Sequence, residues 1–473
     1  MRHLALLALC ACADPAPRPI AWPAHRPAPT PAPTGAFHDP DGKRGALPSE
    51  ADRKKEIAAL RDHLDRMYAH RTDKLQRASL DEDALFAELE KRLLAATSWS
   101  RYDTAIYEAL ARFHDGHLTY HPPSTAAPSR GYTSFHLGLQ AVLAADHLFV
   151  SSIEDGSDLQ KAGIKAGDEV LEVDGKPVAD ILADEVAHRV WSRPESAKIG
   201  WVETWTAVLY PKGDPPRDRK LKLRLRSGGD RDVAIVPKEA PKVKREAVTV
   251  TDDRGVAIVT IRSLNGGKRR AKQIDEALAK ARGSRAMVID LRGDRGGDIT
   301  QVGDRVVAGL AEGKGKLGTY RVLLAPETVA GRAMWKSLVA GADGWSGPQD
   351  LTVDAQPAGK GFHGPVAVIV DAGCVSTCEL VAAALRGDVG AAVIGETTGG
   401  SSGAPIPFEL PVTHGKINIP TWDMIAADGK PVESDGVVPD VQTAPTADAL
   451  AMGEDLPLRA AVDLVRTRLS APP

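Results

Sequence analysis

Four short runs of unbroken apolar character most limit what this chain can become: residues 257–261, 286–291, 366–370 and 392–395. Each is too brief for a helix of ordinary length and shows no polar alternation, which suits strands buried on both faces. Stretches with helical spacing, 271–281 and 379–386, lie between them. Strand and helix in turn predict a covered, largely parallel sheet, so the fold class is α/β. At 473 residues the chain exceeds what one core usually organises, and further domains are expected ahead of this sheet.

The residues before the sheet divide by pattern. Residues 1–12 hold one basic residue, a short apolar run and two thiols, which reads as a lipoprotein-type signal with Cys12, or Cys10, as the acylated residue. Proline crowds residues 13–45 and predicts an extended tether. Over 46–130 apolar residues recur at three and four, as Ile57, Leu60, Leu64 and Met67 do, predicting a helical subdomain. Short β-like runs fill 131–240, and 241–473 holds the α/β unit. Lys+Arg of 60 against Asp+Glu of 63 nearly cancel, so neither nucleic acid nor an anionic membrane surface is expected as a partner. A lipid anchor is the expected membrane attachment, since no other run approaches the roughly 18 apolar residues a spanning helix needs.

Within the β-rich region, residues 162–178 read AGIKAGDEVLEVDGKPV, a turn feeding a strand and an Asp-Gly hairpin. This stretch resembles a PDZ domain. The resemblance implies capture of a C-terminal peptide by strand addition, with Leu137, Gly138 and Leu139 where the carboxylate-binding loop lies. A PDZ module used only for packing or gating is the alternative.

The chemistry concentrates after the third apolar run. Small residues Asp371-Ala372-Gly373 end a strand, and a helix starts at or just after Ser376. One hydroxyl thus stands at a sheet edge beside free helix N–H groups, where developing negative charge is favoured. Serine is equally an ordinary helix N-cap. Ser376-x-x-Glu379 with its Ala-rich helix, Gly395-Glu396-Thr397-Thr398-Gly399-Gly400, and Asp290-Leu291-Arg292-Gly293-Asp294-Arg295-Gly296-Gly297 together resemble the tail-specific-protease and tricorn-type serine peptidases. The resemblance covers about residues 45 to 445 and implies a crotonase-like βαβ superhelix with an inserted PDZ domain.

It also implies roles. Ser376 matches the nucleophile, and a serine needs an adjacent base. The lysine that one branch of the family carries shortly after the Gly-Glu-Thr-Thr segment is missing here, where Gly399-Gly400-Ser401-Ser402-Gly403 stands. The other branch uses a histidine before the PDZ domain, which His117 matches, with His114 and His121 as rivals. Glu433 matches the residue that orients the histidine, with Asp435 as competitor. Tricorn carries a serine just before its histidine, where this chain has Gly116. For the oxyanion hole, the amide of Thr377 and one from Gly296 or Gly297 are the candidates.

Cys374 and Cys378 flank Ser376, and in an exported chain they are candidates for a disulfide, closing more easily if Cys374 precedes the helix. No metal or organic cofactor is expected. The resulting expectation is a lipid-anchored serine endopeptidase of the bacterial cell envelope, acting on proteins or peptides. A non-catalytic carrier of hydrophobic ligands on the same scaffold is the second reading. An α/β-hydrolase is a third, and it lacks its Gly-x-Ser-x-Gly turn.

Overall fold

The computed structural model describes residues 44–123, 132–205, 207–211, 216–239 and 246–470, so the signal and lipidation expectations at Cys10 and Cys12 lie outside the described residues. Four helices come first: α1 (Glu50–Met67), α2 (Arg71–Arg77), α3 (Glu82–Leu94) and α4 (Trp99–Ala111). Ser49, Asp81 and Ser98 cap three of them, each side chain accepting a backbone N–H of the first turn. Among the described residues, no helix is long and apolar enough to cross a membrane.

A six-stranded antiparallel sheet follows: β1 (Leu139–Ala144), β2 (His147–Ile153), β3 (Glu169–Val173), β4 (Arg219–Arg224) and β5 (Asp230–Ile235) pair in chain order, and the short strand Lys176–Pro177 pairs onto β3. The Asp-Gly turn after β3 takes positive φ at both residues, 54° at Asp174 and 79° at Gly175, and Val173 then faces Lys176 across the hairpin. Helices α5 (Val178–His188) and α6 (Pro194–Trp205) pack on this sheet, α6 running along the edge strand β1.

The last unit is built on a second sheet: β6 (Val248–Asp253), β7 (Val256–Ile261), β8 (Ala286–Asp290), β9 (Val366–Val370), β10 (Ala392–Gly395) and β11 (Val441–Gln442), also adjacent in chain order. The first pair is antiparallel and the remainder parallel. Alternate residues explain the unbroken apolar runs. Met287, Ile289, Val366, Val368 and Val393 face one core, while Ala286, Val288, Ala367, Ile369 and Ile394 face another, under α9 (Leu456–Ser470). Between strands lie α7 (Gly267–Ala281) and α8 (Thr377–Val389). Its stretch Leu380–Leu385 is buried throughout, its alanines allowing close approach, and it ends on Gly390 with φ 68°.

The α1–α4 helices are not a separate body. Leu60, Leu64, Met67 and Leu110 share one core with Val381, Ile417 and Ile419, and residues 119–121 pair with 416–418 from the far end of the chain. The β1–β5 sheet has its own core around Leu148, Val150, Leu221 and Leu223.

Candidate active site

The carboxyl ends of three neighbouring parallel strands supply the site. The loop after β8 carries Gly296 and Gly297, the turn after β9 carries Ser376, and the loop after β10 carries Ser401 and Ser402. At Ser376 the backbone is driven to φ 60°, ψ −123°, a conformation a serine holds only where its surroundings over-determine it. Several bonds do so. The Ser376 N–H donates to the Ser401 carbonyl at 2.8 Å and to Glu379 Oε2 at 2.8 Å. Cys374 and Cys378 are joined as a disulfide across the turn, their Cα atoms 5.5 Å apart, with Cys374 ahead of the helix and Cys378 in its first turn.

Glu379 is fully buried at the third position of α8. Besides Ser376, it accepts the N–H groups of Gly400 (2.7 Å) and Ser401 (2.9 Å) and the Thr398 hydroxyl (2.5 Å). Burial raises its pKa to about 8 against the pull of these donors.

His117 reaches Ser376 from the loop between α4 and residues 119–121. Its Nε2 lies 3.2 Å from Ser376 Oγ, and its Nδ1 lies 2.8 Å from Ser401 Oγ. The Ser376 side chain and the His117 imidazole are both partly exposed, while Ser401, Ser402 and Glu379 are buried. Burial lowers the His117 pKa, opposed by the carboxylates of Asp115 and Glu433. The rival histidines are placed elsewhere. His114 stacks on Trp191 with centroids 4.2 Å apart, and burial holds its pKa at about 4. His121 is exposed beside Asn418.

The contact expected of Glu433 is made by a different residue. Ser401 touches His117 Nδ1, whereas Glu433 accepts the Ser402 N–H at 2.6 Å and pairs with Lys74. Asp435 lies at the rim and pairs with Arg77 at 3.2 Å. Behind the imidazole, Asp115 accepts the His117 N–H (2.9 Å), the Tyr68 hydroxyl (2.9 Å) and His70 Nδ1 (2.8 Å). His70 Nε2 meets the Trp422 carbonyl at 2.9 Å, so both ring nitrogens face acceptors, the arrangement of an imidazolium. Burial presses the His70 pKa down, but Glu433 and Asp115 together lift it to about 9. Lys74, also buried, donates to the His114 carbonyl at 2.7 Å and Ser434 Oγ at 2.8 Å. His70, Asp115 and Glu433 bring ligand atoms within 4.8 Å of one another. The Lys74 ammonium on Glu433 supplies positive charge where a cation would otherwise bind.

The two glycines differ in their partners: Gly296 gives its N–H to Asp294 Oδ1 at 2.9 Å. A β-carbon on Gly297, whose φ is 154°, would overlap the Leu264 carbonyl. Thr377 is the first residue of α8, where a helix amide has no intrahelical partner, and its hydroxyl donates to the Gly297 carbonyl at 2.8 Å. Asp294 is buried and its pKa is raised to about 7 by that burial.

Helix α6 and the turn before it, which pack beside the β1–β5 sheet, touch these loops. Ser192 Oγ accepts the Gly116 N–H at 2.9 Å, and Glu203 of α6 pairs with Arg295 at 2.6 Å. Of the expected carboxylate loop, Leu137 and Leu139 are buried in the sheet's core, and the Gly138 N–H lies 3.3 Å from His136 Nδ1.

Sequence reasoning missed His70, Lys74, Tyr68, Asp115 and Ser401 as parts of the site. Asp115 sits between two histidines already singled out, and Ser-x-x-Glu is a capping-box pattern that pointed to Glu379. A lysine in a short amphipathic helix carries no mark of its burial.

Residues 255–443 match the model of peptidase family S41, and residues 129–193 that of the PDZ domain. The carboxy-terminal processing protease CtpA of Bacillus subtilis (strain 168) is 24% identical over 310 residues, 62% of this chain and 53% of the relative. The chain thus spans about half the length of that curated relative. Mature CPAF superposes with a TM-score of 0.66 at 15% identity, covering 89% of this chain and 96% of that one. Mature CPAF complexed with lactacystin gives 0.65 at 14% identity, with 89% and 98% covered. At such identities the structural likeness is one of fold. The similarity to peptidase family S41 thus lies in residues 255–443, and the similarity to a PDZ domain lies ahead of it, in residues 129–193.

Proposed function

We propose that the chain is a serine endopeptidase in which Ser376 attacks a peptide carbonyl and His117 carries the proton. The observation that supports this most is the 3.2 Å approach of His117 Nε2 to Ser376 Oγ at the amino end of a buried helix. The imidazole takes the hydroxyl proton as the bond to carbon forms, then returns it to the leaving amine. Water repeats the sequence in reverse on the acyl-enzyme. The Thr377 and Gly297 amides hold the tetrahedral oxygen, and the α8 dipole favours its charge. Glu433 and Asp115 stabilise the imidazolium by their field, the negative charge of each raising the proton affinity of His117 against the burial that lowers it.

Substrates in this reading are proteins or peptides. β1 is an edge strand paired on one side with β2, and α6 lies along it, a groove to which an extended C-terminus can add as a strand. Placement in the bacterial envelope, with a lipid anchor on Cys12 or Cys10, rests on the N-terminal pattern and agrees with a disulfide beside the nucleophile. The intact serine–histidine contact favours an enzyme over a carrier.

Fluorophosphonate labelling and cleavage of an unstructured protein test the assignment. Wild type is expected to do both and Ser376→Ala neither. Equal labelling of the two discards Ser376.

A further inference from the structure

Resting on the Ser376–His117 reading, we propose that Ser401 is a positioning residue of the reaction, the group that holds the imidazole by its far nitrogen in place of a carboxylate. A neutral imidazole that accepts a proton at Nε2 carries its own hydrogen on Nδ1. Here Nδ1 faces Ser401 Oγ at 2.8 Å, so Nδ1–H donates to that hydroxyl and Nε2 is left as the acceptor for Ser376. Without a partner on Nδ1 the ring is free to take the other tautomer, whose Nε2–H cannot accept the serine proton.

Two further observations show that the hydroxyl is built into place. Ser401 is buried, and its N–H donates at 2.9 Å to Glu379 Oε2, the same oxygen that receives the Ser376 N–H at 2.8 Å. The Ser401 carbonyl accepts the Ser376 N–H as well, at 2.8 Å. Nucleophile and backing hydroxyl are thereby locked to one carboxylate, and the imidazole sits between their two oxygens. From the opposite side, a β-carbon built on Gly116 would overlap Ser401 Oγ. The glycine before His117 leaves the volume that a hydroxyl from a different loop, 284 residues away from the ring it serves, occupies.

The geometry also makes the exchange testable. With residue 401 reduced to glycine, a serine at 116 has room to place its own hydroxyl near Nδ1. kcat and KM on a peptide substrate, measured across pH 5–9, and the imidazole tautomer from nitrogen NMR of histidine-labelled protein are the readouts. Ser401→Ala is expected to lower kcat about 10- to 100-fold with KM within about twofold, and to mix the His117 tautomers. Ser401→Thr, which keeps the hydroxyl, is expected to retain most of kcat. The double variant Gly116→Ser with Ser401→Gly is expected to exceed Ser401→Gly alone by about 10-fold, because it restores an acceptor to Nδ1. Wild-type kcat, pH profile and tautomer in Ser401→Ala overturn the proposal, whatever the double variant does. Fluorophosphonate labelling that survives Ser376→Ala is a different failure, that of the nucleophile assignment itself.

Discussion

His117 is lowered in proton affinity chiefly by burial, with His70 and Lys74 adding to the effect and Asp115 and Glu433 resisting it. A histidine so depressed is neutral, and able to act as base, at every pH above its lowered value. The acid limb of kcat/KM is therefore expected to fall below the ordinary histidine value of about 6.5. Lys74→Met removes one repelling charge and should move that limb upward, which a pH–rate profile reads directly. Gly297 sets a steric condition instead of an electrostatic one. Gly297→Ala drives a methyl into the Leu264 carbonyl and would displace the amide proposed as an oxyanion donor. A loss of about 10²–10³ in kcat is expected, with the fold retained by circular dichroism. Wild-type turnover in this variant removes Gly297 from the oxyanion hole.

Among the elements, the turn from β9 into α8 holds the most strain and the most restraint. Its Glu379 carboxylate has four donors directed at it, three of them backbone amides with no freedom to turn away. Above the Glu379 pKa of about 8, where all four donors meet an ionised carboxylate, Glu379→Gln keeps the shape but aims an amide N–H₂ at one of those donors. A loss of about 1–3 kcal/mol in chemical denaturation, together with slower fluorophosphonate labelling, is the expected result. This turn also shows what a sequence reveals and what it hides. The strands at 257–261, 366–370 and 392–395 could be placed because burial on both faces writes itself as an unbroken apolar run. The hairpin at Asp174-Gly175 was legible because few residue pairs accept two positive φ angles. Ser376 and His117 stood out by motif. Ser401 did not, since its role depends on which side of the imidazole a loop passes, and no local pattern records that. Glu433 was assigned by resemblance to orient the histidine, and a matching segment does not distinguish a hydrogen bond from a neighbouring charge.

At the scale of the whole molecule, α2 brings two cations, His70 at its amino end and Lys74 within it, beneath the candidate site, whose Ser376 lies some three hundred residues later. The His70 pKa is raised to about 9, so its stabilising interaction is fully present below about 6.5 and is lost as pH rises through 9. Thermal unfolding followed from pH 6.5 to 9 should show a decline on the order of 3 kcal/mol from this source. His70→Gln should flatten that slope, and an unchanged slope would show that His70 is not charged in the folded state. Lys74 meets Ser434 across 360 positions of chain, and residues 119–121 find their strand partner at 416–418. Contacts of such separation form late, after the intervening chain has been made and collapsed. On the proposed reading, a half-synthesised chain holds the base's segment without the nucleophile's, and the serine–histidine contact exists only once those two distant segments have met.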